Sequence, residues 1–253
     1  MSCVERVDHG DGIVELKLAR APVNALDPVL CSEIDDAVAT AARDGVRGLV
    51  LAGGPKVFSA GLDVPYLVSL GSDRARLRAA WEAFFHAARA IARAPMPVAA
   101  ALAGHAPAGG CVLALCCDYR VMASGPFSIG LNETQVGLVA PDGIQHLMRR
   151  TVGAHCAERL LLAGELVPAE AALAIGLVDE LADIDQVAIR ARTWLEQILS
   201  LPRGPMLETR RIARADLVAA LEPGRIELDR FIEAWYSEDT QAALRALMAR
   251  LGK

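Results

Sequence analysis

One acidic residue, Glu133, sits in the run Phe127-Ser128-Ile129-Gly130-Leu131-Asn132-Glu133-Thr134-Gln135-Val136-Gly137-Leu138, where apolar residues outnumber charged ones. A carboxyl in such surroundings loses water, so its pKa climbs from the usual value of about 4.3 and it becomes a better proton acceptor and return donor. Two further runs, Phe58-Ser59-Ala60-Gly61-Leu62-Asp63 and Pro107-Ala108-Gly109-Gly110-Cys111, are glycine-containing turns that can present backbone N–H groups. A glycine pair opening a helix leaves those groups unblocked and aims the positive end of the helix dipole at whatever sits there. Two amide donors and one base are the requirements of enolate chemistry, and each donor of an oxyanion hole contributes on the order of 3 kcal/mol to transition-state stabilisation. Plainer readings stay open on spacing alone. Gly109-Gly110 could serve only close helix–strand packing, and Glu133 could be an exposed first-turn residue capped through Asn132.

The elements that must carry these runs alternate. Ile13 to Leu18 has the period of a half-buried strand and leads to Pro22 and Asn24. Asp27-Pro28 is a helix start, and the helix Val29 to Asp44 ends at Gly45. Val46 to Ala52 reads as a buried strand, Ser72 as the cap of a helix over 73–93, Val98 to Leu102 as another strand after Pro95 and Pro97, and Tyr119 to Ala123 as a fourth. Between the last two, Gly109-Gly110 opens a buried helix from Cys111 to Cys117. A β-then-α alternation with short links implies a mainly parallel sheet backed by helices. From Gly143 on, helix follows helix at 143–152, 154–163, 168–176, about 185–200, and a terminal pair near 205–221 and 224–250. This gives a core over 1–195 with a helical C-terminal region over 196–253.

With 253 residues and 53% apolar content, the chain can fill a sizeable core, which excludes disorder. Its net charge of −5, with basic residues spread along helices, argues against a nucleic-acid or anionic-membrane surface. No apolar run has membrane-spanning length, and the start carries Cys3, Glu5, Arg6 and Asp8 where a signal core would be apolar, so the expected location is cytoplasmic. The six cysteines have no metal-ligand spacing and are expected to be reduced. No metal site is expected.

Phe-Ser-Ala-Gly-Leu-Asp at 58–63, Pro-Ala-Gly-Gly-Cys at 107–111, Cys-Asp-Tyr-Arg at 117–120 and Gly-Leu-Asn-Glu-Thr-Gln at 130–135 together resemble the crotonase (enoyl-CoA hydratase/isomerase) superfamily over nearly the whole chain, and most closely its Δ3,Δ2-enoyl-CoA isomerases. The resemblance implies an α/β fold, a spiral of ββα units with a helical C-terminal region used in assembly as a homotrimer or dimer of trimers. It also implies an acyl-CoA thioester in the cleft, coenzyme A entering as part of the substrate with no separate cofactor. By position, the N–H groups of Leu62 and Gly109 form the oxyanion hole and Glu133 is the base. Ala60 meets the adenine through its backbone, Gly61, Asp63 and Val64 complete the CoA-contacting turn, and Asn132 lines the acyl pocket. Arg20, at the end of the Ile13–Leu18 strand, is a candidate partner for a CoA phosphate, or else a solvated strand end.

The departure lies at Val112, where similar hydratases carry a second glutamate that helps activate water. With one carboxyl group, the economical reaction is a 1,3-proton transfer that carries 3-enoyl-CoA to 2-trans-enoyl-CoA, of the kind used in fatty-acid β-oxidation. The alternatives are hydratase or dienoyl-CoA isomerase activity, the latter drawing on Asp142 as a second acid, or a non-catalytic acyl-CoA-binding role. Asp142 reads more simply as the cap of the helix at Gly143, and His105 as a polar loop residue.

Overall fold

Short buried runs separated by capped helices set the course of the chain, which a computed structural model describes over residues 2–252. The strands are β1 (Val4–Asp8), β2 (Ile13–Leu18), β3 (Gly48–Ala52), β4 (Val98–Leu102), β5 (Ala106–Pro107), β6 (Tyr119–Ala123), β7 (Ser128–Gly130), β8 (Val167–Pro168) and β9 (Glu180–Ala182). The helices of the first two-thirds are α1 (Pro28–Arg43), α2 (Val64–Ser69), α3 (Arg74–Arg93), α4 (Gly109–Leu115), α5 (Asp142–Val152), α6 (Ala154–Ala163) and α7 (Ala169–Ala174). They are followed by α8 (Val187–Leu199), α9 (Arg203–Ala213), α10 (Ala215–Ala220), α11 (Pro223–Ile226), α12 (Leu228–Trp235) and α13 (Glu238–Arg250), and Glu133–Val136 makes one 3-10 turn.

Six strands form the main sheet in the order β1-β2-β3-β4-β6-β9, parallel except for the β1–β2 pair, and β5-β7-β8 form a small second sheet. β3 and β4 are buried end to end, as strands covered on both faces must be. Alternation along β3 divides the core: Leu49 and Leu51 join the large cluster containing α1 and α3 residues, whereas Val50 and Ala52 pack with Val187, Ala191 and Leu195 of α8. Ala99 and Ala101 of β4 face the same helix, and their small side chains let it lie close. α8 spans the division expected at residue 195.

Asp27 caps α1 by accepting from the Leu30 N–H at 2.9 Å, with Pro28 at the first helical position, as Asp27-Pro28 implied. The cap of α3 is Asp73 instead of Ser72, its carboxylate accepting from the Arg76 N–H. α4 starts at Gly109, two residues earlier than expected, and the expected terminal helix pair is broken into α9 through α13. Asp118 binds this region to the sheet. It accepts from Arg210 Nε and Nη2 at 2.8 and 2.9 Å, meets Arg214 at 3.0 Å, and accepts from the N–H of Val98 at the start of β4. Among the described residues no helix is long and apolar enough to cross a membrane.

Candidate active site

Two turns are forced into contact where α2 and α4 begin. At Gly61, with φ +81°, a Cβ would lie 3.1 Å from the Gly109 nitrogen, and at Gly110 it would fall 2.5 Å from the Ser59 carbonyl oxygen. Only glycine permits that approach, so the packing reading of the Gly109-Gly110 pair holds. The donor reading is compatible with it. Neither the Leu62 nor the Gly109 N–H has an acceptor among the described residues, and both residues line one cavity of about 560 Å³. The residue before Gly109, Ala108, is held at φ +47°, a conformation that costs a non-glycine residue of order 1 kcal/mol or more. Its N–H donates to the Gly130 carbonyl at 2.8 Å and its carbonyl accepts from the Val112 N–H, which fixes the entry into α4.

The opposite wall is the 3-10 turn. Glu133 is its first residue, as the plainer reading held, but Asn132 makes no side-chain cap and the carboxyl is not exposed. Its Oε2 is buried without a hydrogen-bond partner, and the group lines the cavity. Burial pushes its pKa up from 4.5 to about 7, opposed only by a bond from its own backbone N–H. Gly137 closes the turn at φ +74°, and its carbonyl accepts from Thr240 Oγ1 of α13 at 2.5 Å.

The structure brings most of the expected site together: Ala60, Leu62, Asp63, Val64, Gly109, Asn132, Glu133 and Arg20 all line the cavity. Gly61 lies just behind it and spends its carbonyl on the Leu26 N–H. The N–H of Ala60 is spent on the Val23 carbonyl. Arg20 is not a solvated strand end: its Nη2 lies 2.8 Å from Asp27 and 3.1 Å from Asp63. Asp142 is not a cap and does not line the cavity. Arg149 and then Arg225 bind its carboxylate and hold its pKa below the usual range. His105 Nδ1 accepts from the backbone N–H of Ser128 and lies 3.1 Å from the Ser128 hydroxyl, and the residue does not line the cavity.

Sequence reasoning missed the roof. Phe231, Trp235, Leu247 and Leu251 line the cavity together with Trp81 and Phe84 of α3, with the Trp81 and Phe231 rings 4.3 Å apart. Trp235 also packs edge-on against Trp81. The signal was present as apolar residues at 228, 231, 232 and 235, but helical spacing does not say what a face covers. Among the described residues no cluster of His, Cys, Asp and Glu is placed to hold a metal.

This geometry has counterparts. A 32% identical human protein named enoyl-CoA delta isomerase 1, mitochondrial, aligns over 248 residues, 96% of this chain and 82% of that protein. A probable enoyl-CoA hydratase, echA17, of Mycobacterium avium is 34% identical over 217 residues, 85% of this chain and 82% of its own length. The crystal structure of human mitochondrial delta3-delta2-enoyl-CoA isomerase superposes with a TM-score of 0.93 at 30% identity, covering 99% of this chain and 98% of that one. The family model described as enoyl-CoA hydratase/isomerase matches residues 8–245. The backbone is shared from nearly one end to the other, and the chain belongs to the enoyl-CoA hydratase/isomerase family, with the crotonase fold.

Proposed function

We propose that the chain moves the double bond of 3-enoyl-CoA thioesters to give 2-trans-enoyl-CoA, with Glu133 as the single acid–base group. One observation carries the reading. The cavity holds two carboxyl groups, Asp63 is bound to Arg20, and Glu133 has no cation beside it and a buried Oε2 without a hydrogen-bond partner, with its pKa pushed up to about 7. A base poised there can take a proton near neutral pH and give it back.

In the proposed reaction the Glu133 carboxylate removes a proton from C2. The C2–H electron pair moves into the thioester, and the charge that develops on its oxygen is met by the N–H groups of Leu62 and Gly109. The resulting dienolate takes the same proton back at C4, leaving the double bond between C2 and C3. Atoms and charge balance without a resident cofactor, coenzyme A serving as the handle of the substrate. We assign the acyl chain to the wall made by Asn132, Phe84 and Trp235, and the CoA moiety to the turn from Ala60 to Val64. Assembly as a homotrimer or dimer of trimers belongs to the same proposal, and sedimentation measures it.

The name of the mycobacterial relative favours a second reading, hydration of 2-enoyl thioesters. Against it stands Val112, which lines the cavity on α4 and has no proton to transfer. Incubation with 3-trans-hexenoyl-CoA should produce the absorbance of a conjugated thioester, while 2-hexenoyl-CoA should be hydrated far more slowly. Hydration as fast as isomerisation rejects the assignment, and tight CoA binding with no turnover of either substrate leaves a binding role.

A further inference from the structure

Arg20 lines the cavity with its guanidinium already engaged between two carboxylates, and both carboxylates are helix caps. Asp27 Oδ1 accepts from the Leu30 N–H at the start of α1, and Asp63 Oδ1 accepts from the Tyr66 N–H at the start of α2, at 2.9 and 3.0 Å. The second oxygen of each faces Arg20 Nη2. The same two segments are stitched by backbone: the Leu26 N–H donates to the Gly61 carbonyl at 2.8 Å, and the Asp63 N–H to the Leu26 carbonyl at 3.2 Å. Those two bonds bracket Leu62, which lines the cavity and whose own N–H has no acceptor among the described residues.

We infer that Arg20 is a positioning residue for the Leu62 N–H and not a ligand of a CoA phosphate, an inference that rests on the reading of Leu62 as an oxyanion donor. The charge count argues for it first. One guanidinium shared by two carboxylates leaves a local charge of −1, which repels a phosphate. The placement argues for it second. The Asp27 and Asp63 side chains are only 14% and 16% exposed, so water screens their mutual repulsion poorly once the cation is gone. That repulsion acts directly on the 26–27 and 62–63 segments and drags the bracketed amide out of line. A displacement of about 1 Å at a catalytic group can lower a rate by on the order of 100-fold.

The test compares Arg20→Gln and Arg20→Lys on two matched substrates, the 3-hexenoyl thioesters of CoA and of pantetheine, the second lacking every phosphate of the CoA nucleotide. The positioning role predicts a fall in kcat of about tenfold or more for Arg20→Gln, by the same factor on both thioesters and with little change in KM. Arg20→Lys restores the charge without the planar fork and recovers part of the loss. The enolate absorbance of bound acetoacetyl-pantetheine, which reports the oxyanion donors without turnover, weakens in step. A rise in KM confined to the CoA thioester, or no change in Arg20→Gln on either, overturns the inference. Arg20→Lys carries the same comparison if the glutamine variant does not fold. Wild-type protein inert toward 3-hexenoyl-CoA counts against the proposed function, whereas a loss limited to the CoA thioester counts against the role of Arg20 alone.

Discussion

Glu133 and Asp142 begin neighbouring helical segments, yet the fold treats the two acids in opposite ways. Glu133 enters a cavity walled by apolar side chains, one oxygen has no partner, and burial lifts its pKa to about 7. Asp142 stands half-exposed between Arg149 and Arg225, whose hydrogen bonds lower its pKa. Both are carboxylic acids at a helix start, so the division of roles comes from what the tertiary structure places around each carboxyl. An acid held by cations is fixed in its charged form; a buried acid with no cation beside it can trade its proton. The contrast also weighs against the diene-shifting alternative, which needs Asp142 inside the cleft.

The sharpest break of that comparison is Glu133→Gln, which should lower kcat on 3-hexenoyl-CoA by about 10²–10⁴-fold while acyl-CoA affinity, read by calorimetry, stays within a few-fold. Activity that survives the change removes Glu133 as the base. In the wild type, kcat/KM should rise with pH and level off above about 7, because the free carboxylate is the working form.

Stability should separate the two residues next. Glu133 has a folded pKa raised above the unfolded 4.5, so the folded state binds the extra proton between pH 4.5 and about 7 and its advantage is lost as pH rises through that window. The loss amounts to about 3 kcal/mol. Denaturant titrations at pH 5 and pH 8 should show a fall in the wild type that is smaller by this amount in Glu133→Gln. Equal falls in the two proteins would mean that the carboxyl is hydrated. Asp142 has the opposite sign, its contribution being present above its unfolded pKa of 3.8 and lost as pH falls below it. Exposure limits its size, so Asp142→Asn should cost less than about 1 kcal/mol. Its turnover should stay within roughly twofold of wild type, as expected of a surface ion pair; a loss of tenfold or more would return Asp142 to the chemistry.

Much of the scaffold was legible because its signals are local. Asp27-Pro28 marks the start of α1, and the continuous apolar runs at 48–52 and 98–102 mark β3 and β4. The strand β1 was not legible, since its Val-Glu-Arg-Val-Asp run lies mostly exposed on an edge and shows no apolar period. Two-residue strands such as β5 and β8 exist only through their partners. Within the site, the glycine turns and Glu133 stood out in the sequence because their chemistry depends on residue type. The engagement of Arg20 joins residues 43 apart in the chain, and the roof of Phe231, Trp235, Leu247 and Leu251 comes from the far end, so both depend on tertiary packing.

The contact between the Gly61 and Gly109 turns makes the two unpartnered amides a feature with no side chain behind it. A scan that trims each side chain to alanine would pass over Leu62 with its N–H intact, and at Gly110 it would add an atom 2.5 Å from a carbonyl oxygen and register a folding defect. Genetic screens of this chain would therefore report the glycines as scaffold and leave the donors off the map. Drift can rework the apolar walls one residue at a time, while the pair of free amides is inherited whole or lost together with the fold.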